Sequence, residues 1–343
     1  MNFFKDKNIL IIGGTGTIGK ALIKELVNHD PKVIRVFSRD EYKQFQMEHS
    51  KLILENNISN KFRFLIGDVR DFERLDRAMV DVDIVFNLAA MKHVPSCEYN
   101  PDEAIKTNVD GMQNVIKAAI KNDVECVLFT SSDKAISPTN TYGATKMLAE
   151  KLVQAANFSK GKSKTKFIAV RFGNVMGSRG SVIPLFKNQI LENKRITVTD
   201  PEMSRFMMTS SEAVKLMMKS CEMSKGGELF VLKMPVIKLR DLAEVVVEET
   251  CKKNNLKVED IKVDLIGFRA GERIYEELMT KEESHYAKDL GEMYAVFSTV
   301  NDSKSNSFYK DFKNCKIGNY SSQGIKEISK EEVRFMLKKE GLV

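Results

Sequence analysis

Three glycines spaced three residues apart follow the first apolar run of the chain. The run, Asn8–Ile12, is apolar on both faces, as expected of a buried parallel strand. Glycines at such positions permit a tight turn, close approach of a pyrophosphate to the backbone and close packing of the following helix. The segment predicts a strand–turn–helix unit that binds a dinucleotide, with an ordinary glycine-rich turn as the alternative. The residues expected to contact the dinucleotide here are Gly13, Thr15, Gly16, Thr17, Ile18 and Gly19.

Short β-rich runs alternate with helical patterns through the first half of the chain. The clearest helical pattern covers 105–119, where apolar residues recur at nearly 3.6-residue spacing and predict a face packed on the core. The alternation predicts an α/β fold with a doubly wound parallel sheet, a Rossmann fold with right-handed crossovers. We assign residues 1–175 to this dinucleotide-binding domain. The further predicted strands are 33–37, 62–66, 83–86, 126–129 and 166–171.

The pattern loosens in the second half of the chain. We predict a smaller α/β substrate-binding region with a C-terminal extension over 176–343. A strand predicted at 229–232 is a candidate to return to the main sheet. Helices are predicted at 239–254 and 331–339. Residues 301–323, rich in Ser, Asn and Lys, are predicted to form a surface excursion.

Composition and charge narrow the class of protein. Hydrophobic residues make up 43% of the chain and charged residues 29%, which is typical of a soluble globular protein. The net charge of +7 is dispersed along the chain and forms no basic stripe interleaved with aromatic residues. We therefore expect no nucleic-acid partner, whereas a small anionic substrate would fit this charge. No apolar run approaches the roughly 20 residues of a membrane span, and a strand begins too early for a signal peptide. A cytoplasmic protein without a membrane partner is the expectation.

Cysteine and histidine positions argue against disulfides and metals. The five cysteines are widely spaced, odd in number and without a Cys-x-x-Cys pair. The four histidines lack ligand spacing. We therefore predict reduced, buried thiols and no metal site.

Two predicted strand ends carry polar residues suited to the adenosine half of a dinucleotide. Ser38 and Arg39 end the second strand, where an acid would bind the 2′-hydroxyl of NAD. A hydroxyl and a guanidinium suit a 2′-phosphate and favour NADP, although Asp40 follows directly and keeps NAD as the alternative. Asp68, which precedes Val69 at the end of the third strand, is placed to accept from an adenine amine or, alternatively, to cap the next helix.

The residues richest in chemistry lie between 131 and 146. Tyr142 and Lys146 are four residues apart, so a helix would carry both on one face. A free Tyr, with a pKa of about 10, needs its anion stabilised by roughly 3 pKa units, about 4 kcal/mol, to act as a base near neutrality. Ser132, Asp133 and Lys134 add more acid–base groups than a simple alcohol dehydrogenase needs. The set suggests a sugar that is oxidised, loses water and is reduced again. The alternatives are that Tyr142 and Lys146 are an ordinary side-chain pair on a helix surface and that Asp133 and Lys134 form a solvated, salt-bridged turn.

The order of these motifs resembles a known family. The glycine motif, the segment 87–90 and the Tyr142/Lys146 pair occur as in extended short-chain dehydrogenases/reductases over 8–175. More narrowly, the chain resembles bacterial UDP-N-acetylglucosamine 4,6-dehydratases of surface-glycan and flagellin-sugar pathways. The segments that carry this resemblance are 38–41, 67–71, 89–95, 132–135, 142–146, 171–175, 177–184, 204–209 and 271–278.

The resemblance implies a role for each catalytic residue. Tyr142 would take the proton of the sugar C4 hydroxyl as hydride leaves C4 for the nicotinamide, while Lys146 lowers the pKa of Tyr142 and holds the nicotinamide ribose. Lys134, as a neutral amine, would remove the C5 proton, and Asp133 would donate to the departing C6 hydroxyl before hydride returns to C6. Ser132 would hydrogen-bond the C4 oxygen. The product would be a UDP-4-keto-6-deoxy-N-acetylhexosamine for surface polysaccharide or glycoprotein sugars.

The resemblance also implies binding residues. Asn174, Arg205 and Arg269 match positions that approach the nucleotide diphosphate, and Glu272 would meet the ribose or order an arginine. Arginine suits this role because its planar fork grips phosphate oxygens in pairs, although surface or domain-bridging ion pairs are the alternative for each. The other implied cofactor contacts are Ala89, Ala90, Lys92 and Asn108, and the other implied substrate contacts are Lys92, His93 and Val182.

Two other functions stay open. A UDP-sugar 4-epimerase needs no acid at C6, and a non-catalytic NADP-binding regulator has little need for the tyrosine–lysine pair. Retaining dehydratases often carry Met where this chain has Tyr142, which favours inversion at C5, whereas segment 275–278 fits either branch. The resemblance further implies a homo-oligomer, a dimer or larger.

Overall fold

The computed structural model describes residues 2–54, 58–178, 180–268, 272–298 and 307–343. Up to residue 171 the strands and helices alternate as the sequence predicts. The elements of this half are the strands β1 (Asn8–Ile12), β2 (Val33–Ser38), β3 (Phe62–Ile66), β4 (Ile84–Asn87), β5 (Cys126–Thr130) and β6 (Lys166–Arg171), and the helices α1 (Thr17–Leu26), α2 (Glu41–Glu48), α3 (Lys51–Leu54), α4 (Phe72–Met79), α5 (Val94–Tyr99), α6 (Pro101–Ile105), α7 (Gly111–Lys121) and α8 (Thr141–Ser159).

The second half contains shorter strands between longer helices. The predicted helices over 239–254 and 331–339 are present with bounds shifted by one residue. The elements are β7 (Asn174–Val175), β8 (Arg195–Val198), β9 (Ser204–Met208), β10 (Leu229–Leu232), β11 (Val236–Lys238), β12 (Lys262–Leu265), β13 (Glu277–Met279), β14 (Ala287–Asp289), β15 (Met293–Val296), β16 (Lys313–Asn314) and β17 (Tyr320–Ser321), with α9 (Val182–Asn193), α10 (Ser210–Met223), α11 (Leu239–Lys253), α12 (Lys281–Ser284) and α13 (Lys330–Lys339).

Within the described residues, ten strands form one sheet in the order β16-β14-β15-β10-β6-β5-β4-β1-β2-β3. The first six strands run parallel in the doubly wound order 3-2-1-4-5-6, which confirms the predicted fold class. β10 pairs in parallel with β6, so the strand predicted at 229–232 does return to the main sheet. Beyond it, β15, β14 and β16 continue the sheet with antiparallel pairing.

Two apolar cores hold the chain. The larger surrounds the main sheet, whose central strands are buried on both faces. The smaller joins α9, α11 and α13 through fully buried side chains such as Ile190, Val246 and Leu337. The predicted division at 175/176 stays a prediction, because residues after it contribute to both cores.

The helix predicted over 105–119 is interrupted. α6 ends at Ile105, a π-helical segment covers Lys106–Asp110, and α7 begins at Gly111. A π turn contains one more residue than an α turn, so it rotates the side chains of α6 relative to those of α7. As a result Met112 is buried as predicted, whereas Ile105 is 45% exposed.

Residues 307–323 are mostly exposed, as the prediction of a surface excursion over 301–323 requires, but they also carry a buried tyrosine and two strands. Tyr309 is fully buried, and its hydroxyl donates to the Glu228 carboxylate at 3.1 Å. β16 extends the main sheet and β17 pairs with β13. The polar composition of the segment gives no sign of these strands. A short strand needs few apolar residues when the edge of a neighbouring strand supplies its backbone hydrogen-bond partners.

Candidate active site

Two adjoining cavities lie at the carboxyl ends of the parallel strands, where open α/β sheets bind ligands. Their volumes are about 860 Å³ and about 730 Å³. Ile18, Ala90, Lys92 and His93 line both of them. We call the larger the dinucleotide cavity and the smaller the sugar cavity, after the ligands that the sequence predicts for them.

The glycine turn forms one wall of the dinucleotide cavity. Gly13 has a φ of +81°, and a Cβ atom there would lie 2.9 Å from the backbone nitrogen of Ala89. Only glycine therefore allows the turn to close against the end of β4. The predicted cofactor residues that line this cavity are Gly13, Thr15, Gly16, Thr17, Ile18, Gly19, Ser38, Arg39, Asp68, Val69, Ala89, Ala90 and Lys92.

The adenosine end of this cavity contains an ion-pair cluster. Burial disfavours the Asp68 carboxylate, but hydrogen bonds from Arg70 outweigh burial and hold the pKa of Asp68 below its usual value. Arg39 lies 3.7 Å from the same carboxylate and is largely exposed. The alternative capping role of Asp68 is wrong, because Asp71 caps α4 by accepting from the Arg74 backbone at 3.0 Å.

Asn108 supports the dinucleotide cavity from behind. Its side chain is buried, accepts from the Met91 backbone at 2.8 Å and donates to the Met91 carbonyl at 2.9 Å. It also donates to the Thr145 hydroxyl at 3.0 Å. The structure thus places Asn108 between the loop after β4 and α8, where it fixes the loop that carries Ala90 and Lys92.

The predicted catalytic turn follows β5. Asp133–Ala135 forms a single 3₁₀ turn capped by Ser132, whose hydroxyl accepts from the Lys134 backbone at 3.2 Å. The same hydroxyl donates to Asp133 Oδ1 at 2.7 Å, and Lys134 Nζ donates to Asp133 Oδ2 at 2.9 Å. Burial disfavours the Lys134 cation, but the Asp133 and Glu276 charges outweigh burial and raise the pKa of Lys134. We therefore expect Lys134 to carry its positive charge at neutral pH.

Helix α8 brings the phenol and the second amine to the same cavity. Asn140 caps the helix by accepting from the Gly143 backbone at 2.8 Å. A Cβ atom at Gly143 would lie 2.1 Å from the Lys134 carbonyl oxygen, so glycine here permits the helix to contact the catalytic turn. Tyr142 and Lys146 line the sugar cavity together with Ser132, Asp133 and Lys134.

Tyr142 and Lys146 have strongly shifted pKa values. Burial raises the pKa of Tyr142 to about 12, against the opposing effects of the Lys134 charge and a hydrogen bond with Ser132. Burial lowers the pKa of Lys146 to about 7. Lys146 Nζ donates to the Thr130 carbonyl at 2.8 Å and lies 4.4 Å from the centre of the Phe129 ring. The cation that lowers the Tyr142 pKa here is Lys134, not Lys146.

Glu276 is a functional candidate that sequence reasoning missed. It is 8% exposed, and both of its oxygens accept from Asn174 Nδ2 at 2.9 Å. Arg205 Nε lies 3.4 Å and Lys134 Nζ 3.9 Å from its Oε1. Burial, followed by the Asp133 charge, raises the pKa of Glu276 to about 7. The segment 271–278 carried the family resemblance, but no spacing rule links it to residues 140 positions earlier.

The predicted substrate residues converge only in part. Asn174, Val182, Arg205 and Glu272 line the sugar cavity together with Lys92 and His93. Asn174 is predicted to approach the nucleotide diphosphate, but in this structure its amide donates to the Glu276 carboxylate. Arg269 lies outside the described residues.

A buried ion-pair network ties the two halves of the site together. Arg171, at the end of β6, is 2% exposed and pairs with Glu150 of α8 at 2.6 Å and Glu283 of α12 at 2.8 Å. Arg171 also donates to the Leu278 carbonyl at 3.0 Å. The segment after Glu276 is thereby fixed to the helix that carries Lys146.

The five cysteines are all free and buried, as the sequence predicts. Among the residues that the structure describes, His, Cys, Asp and Glu side chains form no group of three suited to a metal ion. Every helix in those same ranges is too short or too polar to cross a bilayer.

Comparisons with known proteins agree with this geometry. Residues 9–298 match the family model described as polysaccharide biosynthesis protein. The chain belongs to this family. A UDP-N-acetylglucosamine 4,6-dehydratase (inverting) from Campylobacter jejuni is 44% identical, with 87% of this chain and 84% of that protein covered. The chain is therefore an extended short-chain dehydrogenase/reductase of the nucleotide-sugar dehydratase/epimerase group.

Other family members carry different names. A UDP-glucose 4-epimerase from Rickettsia bellii is 41% identical over 97% of this chain and 96% of its own. A protein of Methanocaldococcus jannaschii, named an uncharacterised membrane protein, is 48% identical over 98% of this chain and 97% of its own.

Solved structures share the fold of this chain. The X-ray structure of Pen from Bacillus thuringiensis is 53% identical, covers 99% of both chains and superposes with a TM-score of 0.91. A dTDP-glucose 4,6-dehydratase from Streptomyces venezuelae, solved with NAD bound, shares the fold at 18% identity and a TM-score of 0.68, with 89% of this chain and 97% of that one covered.

Proposed function

We propose that the protein is an NADP-dependent UDP-N-acetylglucosamine 4,6-dehydratase. It would convert its substrate to a UDP-4-keto-6-deoxy-N-acetylhexosamine for surface polysaccharide or glycoprotein sugars. The observation that carries the proposal is the Asp133–Lys134 pair, held at 2.9 Å on the cavity that also contains Tyr142. A carboxyl and an amine beside the phenol supply the acid and the base that loss of water requires and that C4 oxidation alone does not.

The dinucleotide cavity fits the cofactor that the family implies. Its glycine turn has no room for a Cβ atom at Gly13, and α1 begins directly behind the turn with Thr17. Lys20, Lys24 and Lys43 line the cavity together with Arg39, and this excess of cations supports NADP over NAD. A bound nicotinamide would accept the hydrogen of C4 and return it to C6.

For the oxidation, Tyr142 is the group that takes the C4 hydroxyl proton. Its phenol needs a cation to ionise, and Lys134 is the cation that opposes burial of the phenolate here. Ser132, whose hydroxyl donates to Asp133 Oδ1 at 2.7 Å, would hold the C4 oxygen. Lys146, about half charged at pH 7, would bind the nicotinamide ribose and gain charge beside the polar groups of the cofactor.

For the elimination, Lys134 removes the C5 proton and Asp133 protonates the departing C6 hydroxyl. Lys134 is a cation before the reaction, so its amine must pass a proton to a neighbouring carboxylate first. The C5 proton then forms an N–H bond, the C6–O bond breaks, and the Asp133 proton leaves with the oxygen as water.

The test is incubation of the purified protein with UDP-N-acetylglucosamine and NADP, followed by mass spectrometry. A dehydratase yields a product lighter by one water without net accumulation of reduced cofactor. The Asp133→Asn variant should lose dehydration by about 10²- to 10⁴-fold, the usual contribution of a general acid. An unchanged mass would contradict the proposal.

A UDP-sugar 4-epimerase is the second candidate, favoured by the name of the Rickettsia relative. An epimerase yields a product of unchanged mass inverted at C4, and Asp133→Asn would spare it. A non-catalytic NADP-binding regulator would keep its biological activity after Tyr142→Phe.

We also propose a homo-oligomer in the cytoplasm. The large apolar side chains of Tyr99, Ile105 and Leu148 are 88%, 45% and 47% exposed, which supports a contact with a second copy through α5, α6 and α8. Sedimentation velocity of the purified chain tests this, with a monomer as the contradicting result.

A further inference from the structure

Glu276 lies behind the catalytic turn. A third cavity of about 260 Å³ is lined by Glu276, Asp133 and Lys134. Lys134 and Arg205 also line the sugar cavity, whereas Glu276, within the part of the chain that the structure describes, does not. A sugar in that cavity would touch the two cations but not this carboxylate, so any effect of Glu276 on the reaction passes through its neighbours.

The contacts of Glu276 come from separate segments of the chain. Asn174 of β7 and the Phe206 backbone of β9 donate to its oxygens at 2.9 Å and 3.1 Å. Arg205 Nε and Lys134 Nζ approach the single atom Oε1 at 3.4 Å and 3.9 Å. A carboxylate buried to this degree is costly unless paired, and here its pairing depends on both cations.

The charges of this cluster balance. Asp133 and Glu276 face Lys134 and Arg205. The other charged groups that line the same third cavity, within the described residues, are Glu272, Arg273 and Glu277. An anionic substrate in the sugar cavity competes with Glu276 for Arg205. When Arg205 turns to such an anion, Glu276 loses one of its two opposing cations and binds a proton more readily.

We propose that Glu276 is a positioning residue for the elimination: it holds the Lys134 amine from behind and, once the substrate diphosphate draws Arg205 away, accepts the Lys134 proton. In that transfer an N–H bond of Lys134 breaks and an O–H bond of Glu276 forms, which leaves a neutral amine to remove the C5 proton. The amine then takes the C5 proton and passes it across the 2.9 Å contact to the Asp133 carboxylate, which delivers it to the departing C6 hydroxyl. Substrate binding and formation of the base are thereby coupled through one carboxylate.

The pKa of Glu276 supports this assignment. Burial and the Asp133 charge raise it to about 7 even with Arg205 still in contact. Transfer from a neighbouring lysine is thus easier to this carboxylate than to one with an ordinary pKa. The inference rests on the proposed dehydratase function, since an epimerase does not need a base at C5.

The test separates oxidation from elimination in single turnovers with UDP-N-acetylglucosamine in deuterated water. Oxidation at C4 is followed by the near-ultraviolet absorbance of reduced nicotinamide, and elimination by C5 deuterium exchange and loss of water. Glu276→Gln should slow exchange and water loss by about 100-fold while oxidation stays within about threefold of wild type. Glu276→Asp, which keeps an acid on a shorter stem, should recover part of the exchange.

Glu277→Gln is the matched control, because the adjacent Glu277 carboxylate accepts from Asn319 at 2.9 Å and the change is chemically identical. It should leave both half-reactions unchanged. Wild-type elimination rates in Glu276→Gln would overturn the inference, as would an equal loss of oxidation and elimination with a lowered melting temperature. If Glu276→Gln does not fold, equal effects of Glu276→Asp on both half-reactions overturn it. Failure of the wild-type protein to dehydrate the substrate would instead refute the proposed function.

Discussion

Two lysines of one cavity lie in opposite surroundings. Lys134 lies between the carboxylates of Asp133 and Glu276, at 2.9 Å and 3.9 Å. Lys146, with 3% of its surface exposed, donates to a backbone carbonyl and lies beside the Phe129 ring. The pKa of the first is raised above its ordinary value of 10.5, whereas burial lowers that of the second to about 7.

The difference teaches that neighbours, not residue type, decide what a buried lysine does. Two carboxylates keep Lys134 charged until a proton acceptor becomes available, which suits a base that must wait for the ketone. Around the Lys146 amine burial outweighs the opposing charge of Glu150, so the amine loses its charge at nearly neutral pH, which suits a group that gains its partners from a bound cofactor. Four predictions probe this contrast.

The largest effect is expected for Lys134→Met. The variant should lose water elimination and C5 exchange by about 10³-fold because Lys134 is the proposed base at C5, while C4 oxidation should fall by less, because Tyr142 loses the cation that opposes its burial. Single-turnover absorbance and deuterium exchange measure the two steps. Retention of C5 exchange in the variant would contradict the assignment of Lys134 as the base that removes the C5 proton.

Arg171→Met should remove the buried ion pairs that join α8, which carries Lys146, to the segment after Glu276. It would leave Glu150 and Glu283 buried without their cation, and unfolding should become easier by about 3–5 kcal/mol. Urea denaturation measures this. Arg334→Met, which removes a more exposed pair with Glu248, is the control and should cost about 1 kcal/mol or less. Equal costs for both variants would contradict the role of burial.

Lys146→Met should slow C4 oxidation and dehydration together, by about 10²-fold, because both depend on the step in which Lys146 takes part. Lys151→Met, an exposed change on the same helix, is the control and should have no effect. Selective loss of dehydration alone would reverse the roles of the two lysines.

The smallest effect is a pH dependence of stability without ligand. The Lys146 pKa is lower in the folded chain than its unfolded value of 10.5, so the folded state binds fewer protons between about pH 7 and that value. Stability attributable to Lys146 should therefore rise with pH, by up to about 1.4 kcal/mol per unit. The pKa of Lys134 is raised, so its contribution to the free energy of unfolding is fully present below pH 10.5 and does not change with pH in this window. Urea midpoints of wild type and Lys146→Met between about pH 7 and about pH 9 measure the difference; parallel curves would contradict it.

Much of the sheet is predictable because its signals are local. The apolar run of β1 and the glycines behind it specify a strand, a turn and a helix within twenty residues. The π segment at Lys106–Asp110 is not predictable in this way, since one extra residue in a turn hardly disturbs a helical period. The burial of Tyr309 depends on a partner, Glu228, that lies 81 positions away.

The site divides in the same manner. Asp133, Lys134, Tyr142 and Lys146 lie within fourteen residues, and the structure brings their side chains to one cavity. Glu276 reaches that cluster only through tertiary folding, and a glutamate in a polar loop carries no local sign of burial. The charge states of these residues cannot be predicted from the sequence either, because they depend on which groups face each other across the cavity.

The most direct measurement is a proton NMR and mass spectrum of the product formed from UDP-N-acetylglucosamine in deuterated water. The account predicts loss of one water, a ketone at C4 and deuterium at C5, because Lys134 and Asp133 act on C5 and C6 after the oxidation. A product of unchanged mass that retains its original C5 hydrogen and differs only in configuration at C4 would contradict it.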